Sequence, residues 1–300
     1  MNNFLIEKYI PFVEGLCKKY DYDNNIRHLL ILIVPAFVHK YKYKSQLIED
    51  VFNSIPIIIN NKSEKYVNAY YTSVPVFKNN IIKTNKYIVI NNYGKISLIK
   101  LLDNLIHEFN HAINSYNKEI NTSNNILYLR TGLTYTTYFL PSLKPKAKMP
   151  TYILEEIINT KQTELIIDNI KNLKCGVNEE INNTIYNINK ETKKNYESMA
   201  YALETNILKE LLSNNTFIYT LENLRIEGNI EDIEGWFDNI TNMKNSYNTL
   251  NNKLYKIMTI EENYESTRFL KKRKIEQIKS LIKDINYIIK IFNENTHHNI

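Results

Sequence analysis

His107, Glu108 and His111 stand within five consecutive residues, HEFNH. On an α-helix the two histidines are four positions apart, so both imidazoles leave the same face one turn apart. Imidazole nitrogens placed in this way can bind one Zn²⁺ ion at about 2.0 to 2.1 Å. Glu108 lies beside the first ligand, where its carboxylate can take a proton from a water whose pKa the metal lowers to about 7. The spacing therefore predicts a site for metal-assisted hydrolysis.

The helix that must carry these residues is predicted to begin after Ser97, a good N-cap residue that follows turn-forming residues. Apolar residues recur at helical spacing on one side, and the polar residues collect toward the other. The apolar positions are Leu98, Leu101, Leu102, Leu105, Ile106, Phe109 and Ile113. We therefore expect a long amphipathic helix with both histidines on its polar face.

The motif resembles the HExxH of zinc metallopeptidases, whose subgroups differ in the third metal ligand. Metzincins have a glycine and a third ligand where this chain has Asn114 and Asn117, so that subgroup is excluded. Aspzincins use an aspartate soon after the motif, and RTGLTYTTY contains none. Gluzincins, which have thermolysin-like catalytic domains, take a glutamate from a later helix, and TYILEEIINTKQTELIIDNI supplies one. The form HEFNHA and the interval to that helix are also similar to those of the anthrax lethal factor catalytic domain.

The resemblance implies that the third ligand lies in this later helix, where Glu155 and Glu156 compete. Aligned on Glu156, the helix resembles the gluzincin pattern Glu-x-x-Ser-Asp, with Asn159 and Thr160 at the positions that support the ligands. Glu156 is therefore preferred, and Glu155 remains the alternative. Because no carboxylate follows four residues later, hydrogen bonding from Asn159 or Thr160 must replace it.

A group that donates to the oxyanion of the transition state usually completes such a site. Histidines outside the motif flank a core helix or end the chain, so a tyrosine is the better candidate. Among the 23 tyrosines we prefer Tyr201, followed by Tyr196, Tyr152 and Tyr135. Arg130 is expected either to contact substrate or Glu108, or to make a salt bridge on a strand.

The elements around the motif predict an α+β fold. Residues 3–54 give three helical patterns, and three strand-like runs follow, namely IPIIIN, VNAYYTSVPVF and KYIVIN. We expect the last run to form the sheet edge along which an extended peptide substrate pairs. NILYLRTGLTYTTYFL resembles a hairpin and PSLKPKAKMP a turn, after which the pattern is helical with loops near residues 175–178, 213–215 and 228–235.

These elements predict two subdomains of a zincin-like fold. Residues 1–145 are expected to hold the amino-terminal helices, a small mixed sheet and the HExxH helix. Residues 146–300 are expected to form a mainly helical half that carries the third ligand. The substrate cleft is expected between the two halves, where pockets commonly form.

Composition favours a protein that binds neither nucleic acid nor membrane. The formal charge is +6, but Lys and Arg are interleaved with Asp and Glu, and the densest run, RFLKKRK at 268–274, is typical of a solvated helix face. Cys17 and Cys175 are too few for a disulfide framework and are expected to be inert packing residues. The amino terminus lacks the features of a secretory signal, and the most apolar run, residues 29–38, is too short to cross a bilayer, so we expect a cytoplasmic location.

The leading hypothesis is zinc-dependent hydrolysis of peptide bonds in a peptide or protein substrate. Zinc is expected on His107, His111 and Glu156, with Glu108 as the general base and Tyr201 as the electrophilic partner. One alternative is a zincin-like binding or regulatory protein without turnover, against which Glu108 argues because a structural zinc site has no use for a base. The other is a helical interaction protein with a chance HExxH, favoured by the long charged helices after residue 240.

Overall fold

The computed structural model describes residues 2–61, 68–78, 81–115, 120–123, 126–140, 142–148, 151–173, 178–192, 202–227, 230–262 and 268–297. The helices are α1 (Asn3–Tyr20), α2 (Asn24–Lys40), α3 (Ser45–Ser54), α4 (Leu98–Ser115), α5 (Tyr152–Lys171), α6 (Glu179–Thr192), α7 (Ala202–Ile207), α8 (Lys209–Leu212), α9 (Asn215–Glu227), α10 (Ile230–Thr241), α11 (Ser246–Glu262) and α12 (Arg268–His297). The strands are β1 (Ile57–Asn60), β2 (Ala69–Lys78), β3 (Ile81–Asn91), β4 (Ile120–Ser123), β5 (Ile126–Thr131), β6 (Thr134–Phe139) and β7 (Lys144–Lys148). The predicted α+β class, with a helical carboxyl-terminal half, is confirmed.

The chain divides into two compact units, and each is discontinuous in sequence. The first comprises Met1–Tyr116 and Asn159–Glu197, and the second comprises Asn117–Ile158 and Ser198–Ile300. We had expected one boundary near residue 145, whereas this division crosses the chain three times and passes through α5. A single helix therefore contributes its amino-terminal turns to one unit and its remaining turns to the other.

The first unit is built on the three amino-terminal helices that the sequence predicts. The central helix, α2, is buried along most of its length, including Pro35, as expected for a core helix with one proline. Phe52 of α3 stacks on Phe109 of α4, with ring centroids 4.0 Å apart. This aromatic contact holds the HExxH helix against the amino-terminal helices.

The first sheet is mixed, and its strand order is β1-β3-β2. β1 runs parallel to β3, and β2 runs antiparallel to it. The expectation that KYIVIN forms the substrate-binding edge is wrong, because this run is the central strand β3. Its consecutive residues Ile88, Val89 and Ile90 are buried, so both faces of the strand are covered there. Among the described strands the antiparallel edge is β2, which contains Pro75, a residue that edge strands tolerate.

The second unit contains an antiparallel sheet with strand order β4-β5-β6-β7. β5 and β6 form the predicted hairpin, which turns at Gly132 with a positive φ of 56°. The interpretation of PSLKPKAKMP as a turn is only partly right, because Lys144–Lys148 forms β7. Lysine and proline favour turns, but both are also usual on an edge strand, where they discourage pairing with other chains.

The helices of the second unit pack around a core of large apolar side chains. Phe237 of α10 stacks on Phe292 of α12, with ring centroids 4.8 Å apart. Gly235 lies inside α10, so the loop predicted over residues 228–235 is wrong at this position. A glycine costs a helix about 1 kcal/mol relative to alanine, which burial of Ile233 and Phe237 offsets. No helix in the described ranges is both long and apolar enough to cross a membrane.

Candidate metal centre

Helix α4 begins where the sequence predicts. The Ser97 hydroxyl accepts the backbone N–H of Lys100 at 3.3 Å, and its carbonyl accepts the N–H of Leu101 at 2.9 Å. The apolar stripe is buried from Leu101 to Ile113, and Leu98, in the first turn, is partly exposed. Because this stripe is fixed in the core, the direction in which the two histidines leave the helix is fixed as well.

Polar contacts within the first unit join α4 to α5. The Asn159 side chain donates from Nδ2 to the carbonyl of His107 at 2.8 Å. The Asn110 side chain donates to the Thr163 hydroxyl at 3.4 Å, and that hydroxyl donates to the Asn159 carbonyl at 2.9 Å. Asn159 thus holds α5 beside the main chain of the first histidine of the motif. Its predicted support of a metal ligand stays a prediction.

Glu156 precedes Asn159 by three residues and therefore lies on the same face of α5, one turn earlier. One ligand atom each from His107, His111 and Glu156 lie within 4.8 Å of one another. Two imidazole nitrogens and one carboxylate oxygen are a donor set that zinc accepts. Tetrahedral zinc sites with bonds of about 2.0 to 2.2 Å place their ligand atoms about 3.4 Å apart, which is below this upper limit. The three predicted ligands form a possible metal-binding group.

Glu155, the alternative ligand, is bound elsewhere. Its carboxylate is fully buried and accepts two hydrogen bonds from the Arg225 guanidinium, one of them from Nε at 2.9 Å. It also accepts the backbone N–H of Leu133 at 2.8 Å. A buried carboxylate that is paired with a guanidinium has its charge compensated in place. The geometry thus separates two glutamates that the sequence left in competition.

Glu108 is buried, and its orientation is set by the first sheet. The Oε2 atom accepts the backbone N–H of Tyr71, on β2, at 2.6 Å. Hydrogen bonds to a neighbouring strand alternate along an antiparallel strand, so the Tyr71 N–H points away from β3. Main-chain groups of Ser73 and Pro75 alternate with the same period and also point away from β3. Because β2 is an edge strand among the strands that the structure describes, the candidate base lies at a sheet edge.

The predicted oxyanion partner is not located by the structure, because Tyr201 lies outside the described residues, as does Tyr196. The Tyr152 hydroxyl donates to the sulfur of Met258 at 2.8 Å. Tyr135 packs edge-on against the ring of Tyr128, with centroids 6.1 Å apart. Both of these described tyrosines make packing contacts within the second unit.

Arg130 is fully enclosed in the second unit. Its guanidinium donates to the carbonyl of Gly132 at 2.6 Å and to the carbonyls of Leu224 and Arg225 at 3.2 Å and 2.7 Å. The last two carbonyls belong to the final turn of α9, where helical carbonyls lack partners within the helix. Arg130 thus ties the β5–β6 turn to the end of α9, a role that neither of our sequence hypotheses for this arginine included.

Two contributors to the site were missed in the sequence. The backbone N–H of Tyr71 binds the candidate base. Because nearly every residue type has a backbone N–H, the sequence does not indicate which one makes this contact. Arg225 discriminates between the two glutamates, but it follows Glu155 by 70 positions, in a helix whose other charged residues are Glu222 and Glu227. In the sequence, only the apolar residues next to Arg225 could have indicated that this arginine is buried.

The chain was compared with protein-family models, with curated proteins and with solved structures, and none of these comparisons finds a match. A possible function must therefore be argued from the donor atoms of the site and from the groups that orient them. A shared fold would in any case not have specified the chemistry, because function depends on the site.

Proposed function

We propose that this protein is a zinc-dependent peptidase of the gluzincin type, with a zincin-like arrangement of the first sheet and α4. The observation that carries the proposal is the grouping of His107, His111 and Glu156. A chance HExxH gives no reason for a carboxylate from a later helix to lie beside both histidines. Within the described residues the group has three protein ligands, which is the number that catalytic zinc sites use, since the fourth position must stay open for water or substrate.

Zinc is preferred over other ions because two imidazoles and one carboxylate form a common catalytic zinc site, whereas magnesium and calcium favour oxygen ligands alone. When bound, zinc supplies a Lewis acid that lowers the pKa of a water to about 7 and polarises the substrate carbonyl. The Asn159 bond to the His107 carbonyl supports the first ligand at the level of its backbone. Such supporting contacts fix the ligand orientation on which affinity depends.

Glu108 acts as the general base in this proposal. The Tyr71 N–H holds Oε2 at 2.6 Å, which restricts the orientation of the carboxylate. Glu108 takes the proton of the attacking water at Oε1 and then donates it to the amine of the leaving peptide. Tyr201 stays a prediction as the group that donates to the oxyanion.

The substrate is proposed to be a peptide or protein segment in extended conformation. β2 has outward main-chain groups beside Glu108, and strand addition to such an edge binds extended peptides through main-chain hydrogen bonds. Pro75 lacks an N–H, so the pairing donors end after Ser73. The usable edge is therefore short and lies next to the base.

The test is cleavage of a mixed peptide library by the zinc-loaded protein, followed by mass spectrometry. The proposal expects new peptide termini that disappear with a chelator and return when zinc is restored. A zinc-loaded protein that cleaves no member of the library would contradict the peptidase and favour a zincin-like binding protein. Cleavage that persists in excess chelator would contradict the metal mechanism.

A further inference from the structure

We propose that Arg225 is a positioning residue for the metal site. By holding Glu155, it fixes the first turns of α5 and with them the direction in which the Glu156 carboxylate leaves the helix. This inference rests on the proposed function, in which Glu156 is a metal ligand. Arg225 belongs neither to the HExxH motif nor to the set of metal ligands.

The pair is unusual in its complete burial, since neither Glu155 nor Arg225 is exposed to solvent. Burial of single charges is costly, so such a pair is maintained only where its hydrogen bonds are satisfied. Two guanidinium donors and the Leu133 N–H meet the Glu155 carboxylate. The fork of an arginine defines the plane of the carboxylate that it binds, so Glu155 has little freedom to rotate.

The main chain of Arg225 is held in place by hydrogen bonds from Arg130. Arg130 donates to the Arg225 carbonyl at 2.7 Å and to the Leu224 carbonyl at 3.2 Å. The cationic side chain thereby binds the carboxyl-terminal end of α9, where the helix dipole favours positive charge. Since Arg130 also donates to the Gly132 carbonyl at 2.6 Å, the hairpin turn and the end of α9 are fixed together.

The β5–β6 turn packs closely against the Glu155 carboxylate. A Cβ atom added to Gly132 would lie 2.1 Å from the Glu155 carboxylate, and φ is +56° at this glycine. The Glu155 N–H also bonds to the Thr151 carbonyl at 3.1 Å, in the turn that begins α5. The start of the helix is therefore held at its backbone and at the side chain of Glu155.

The consequence for Glu156 follows from helix geometry. Successive side chains leave an α-helix about 100° apart, so fixing Glu155 fixes the direction of the Cα–Cβ bond of Glu156. Metal ligands must lie within about 0.2 Å of their ideal distances. Rotation of this first turn by a few degrees would therefore reduce metal affinity even while the protein stays folded.

The test compares Arg225→Lys with Leu254→Ala. The lysine keeps the positive charge but cannot supply the fork. The alanine opens a cavity in the same apolar core, on α11, and so destabilises the unit without removing a donor to Glu155. Zinc affinity is measured by competition with a chromogenic chelator, and the ligand geometry by the absorption spectrum of the Co²⁺ form, on protein whose circular dichroism confirms folding.

The inference expects zinc affinity to fall about 10- to 100-fold in Arg225→Lys, with an altered Co²⁺ spectrum. Leu254→Ala is expected to keep both. Equal affinity and identical spectra in the wild type and Arg225→Lys would overturn the positioning role and leave the peptidase proposal standing. If Arg225→Lys does not fold, Glu155→Gln replaces it with the same expectation, since it keeps an acceptor for Leu133. A wild type that binds no zinc overturns this inference together with the proposed function.

Discussion

Glu155 and Glu156 are adjacent on α5, yet their carboxylates have different partners. Glu155 is fully buried and bound by the guanidinium of Arg225. Glu156 is half-buried and shares a cluster with His107 and His111. One residue is thus part of the core and its neighbour lies in the possible metal-binding group, which is the distinction on which the proposed zinc site depends.

The first prediction concerns the base. Glu108→Gln keeps the size of the side chain and its acceptor for the Tyr71 N–H, but an amide cannot take up the proton. We expect peptide cleavage to fall by about 10²- to 10⁴-fold, while bound zinc stays unchanged. Cleavage and zinc content are measured on the same preparation. Wild-type turnover by this variant would remove Glu108 from the mechanism.

The second prediction concerns the support of the first histidine. Asn159→Ala removes the donor to the His107 carbonyl, and we expect zinc affinity to drop about 10-fold. The control is Lys161→Ala, which changes an exposed residue of the same helix. Affinity is measured by chelator competition for both variants. If the two bind zinc equally well, the Asn159 contact is irrelevant to the metal.

The third prediction concerns the hairpin turn. Gly132→Ala places a methyl group against Glu155 and forces a left-handed conformation, which alone costs about 1 to 2 kcal/mol. We expect a loss of at least that size in the free energy of unfolding, measured by urea denaturation. Gly235→Ala, inside α10 with no atom within 4 Å of the new Cβ, is expected to stabilise by about 0.5 to 1 kcal/mol. Equal effects at both sites would contradict the close approach.

The fourth prediction concerns Cys17. Burial, assisted by the charge of Glu14, raises the pKa of its thiol to about 11. At pH 8 the reactive thiolate is therefore rarer by about 100-fold than in an exposed cysteine. In a Cys175→Ser background, we expect a thiol reagent to modify the native protein far more slowly than the protein in guanidinium chloride. Because the folded pKa is the higher one, the stability contribution is full at neutral pH and is lost as the pH rises through about 11. Equal rates in the two states would show that Cys17 is exposed.

The elements that depend on local pattern could be predicted from the sequence. The helices before residue 54, the N-cap at Ser97 and the β5–β6 hairpin are confirmed, because periodicity and turn chemistry are local properties. Strand order is not local, which is why β3 was assigned to the edge that β2 occupies. The sequence of β7 indicates a turn because its proline and lysines favour turns unless a neighbouring strand is known.

The candidate site divides in the same way. The spacing of His107 and His111 specifies a shared helix face, so their grouping could be predicted. The choice of Glu156 rested on a resemblance, since the contact that separates it from Glu155 comes from Arg225 on a distant helix. The orientation of Glu108 could not be predicted, because it depends on a backbone donor of β2.

The most direct test of the central claim is the zinc content of the wild type, Glu156→Ala and Glu164→Ala, measured by mass spectrometry after purification without chelators. Glu164 is a carboxylate of the same helix that pairs with Lys161 at the surface, and it serves as the matched control. We predict one zinc per chain in the wild type and in Glu164→Ala, and loss of most of the zinc in Glu156→Ala. A zinc-free wild type, or full zinc content in Glu156→Ala, would contradict the proposed site.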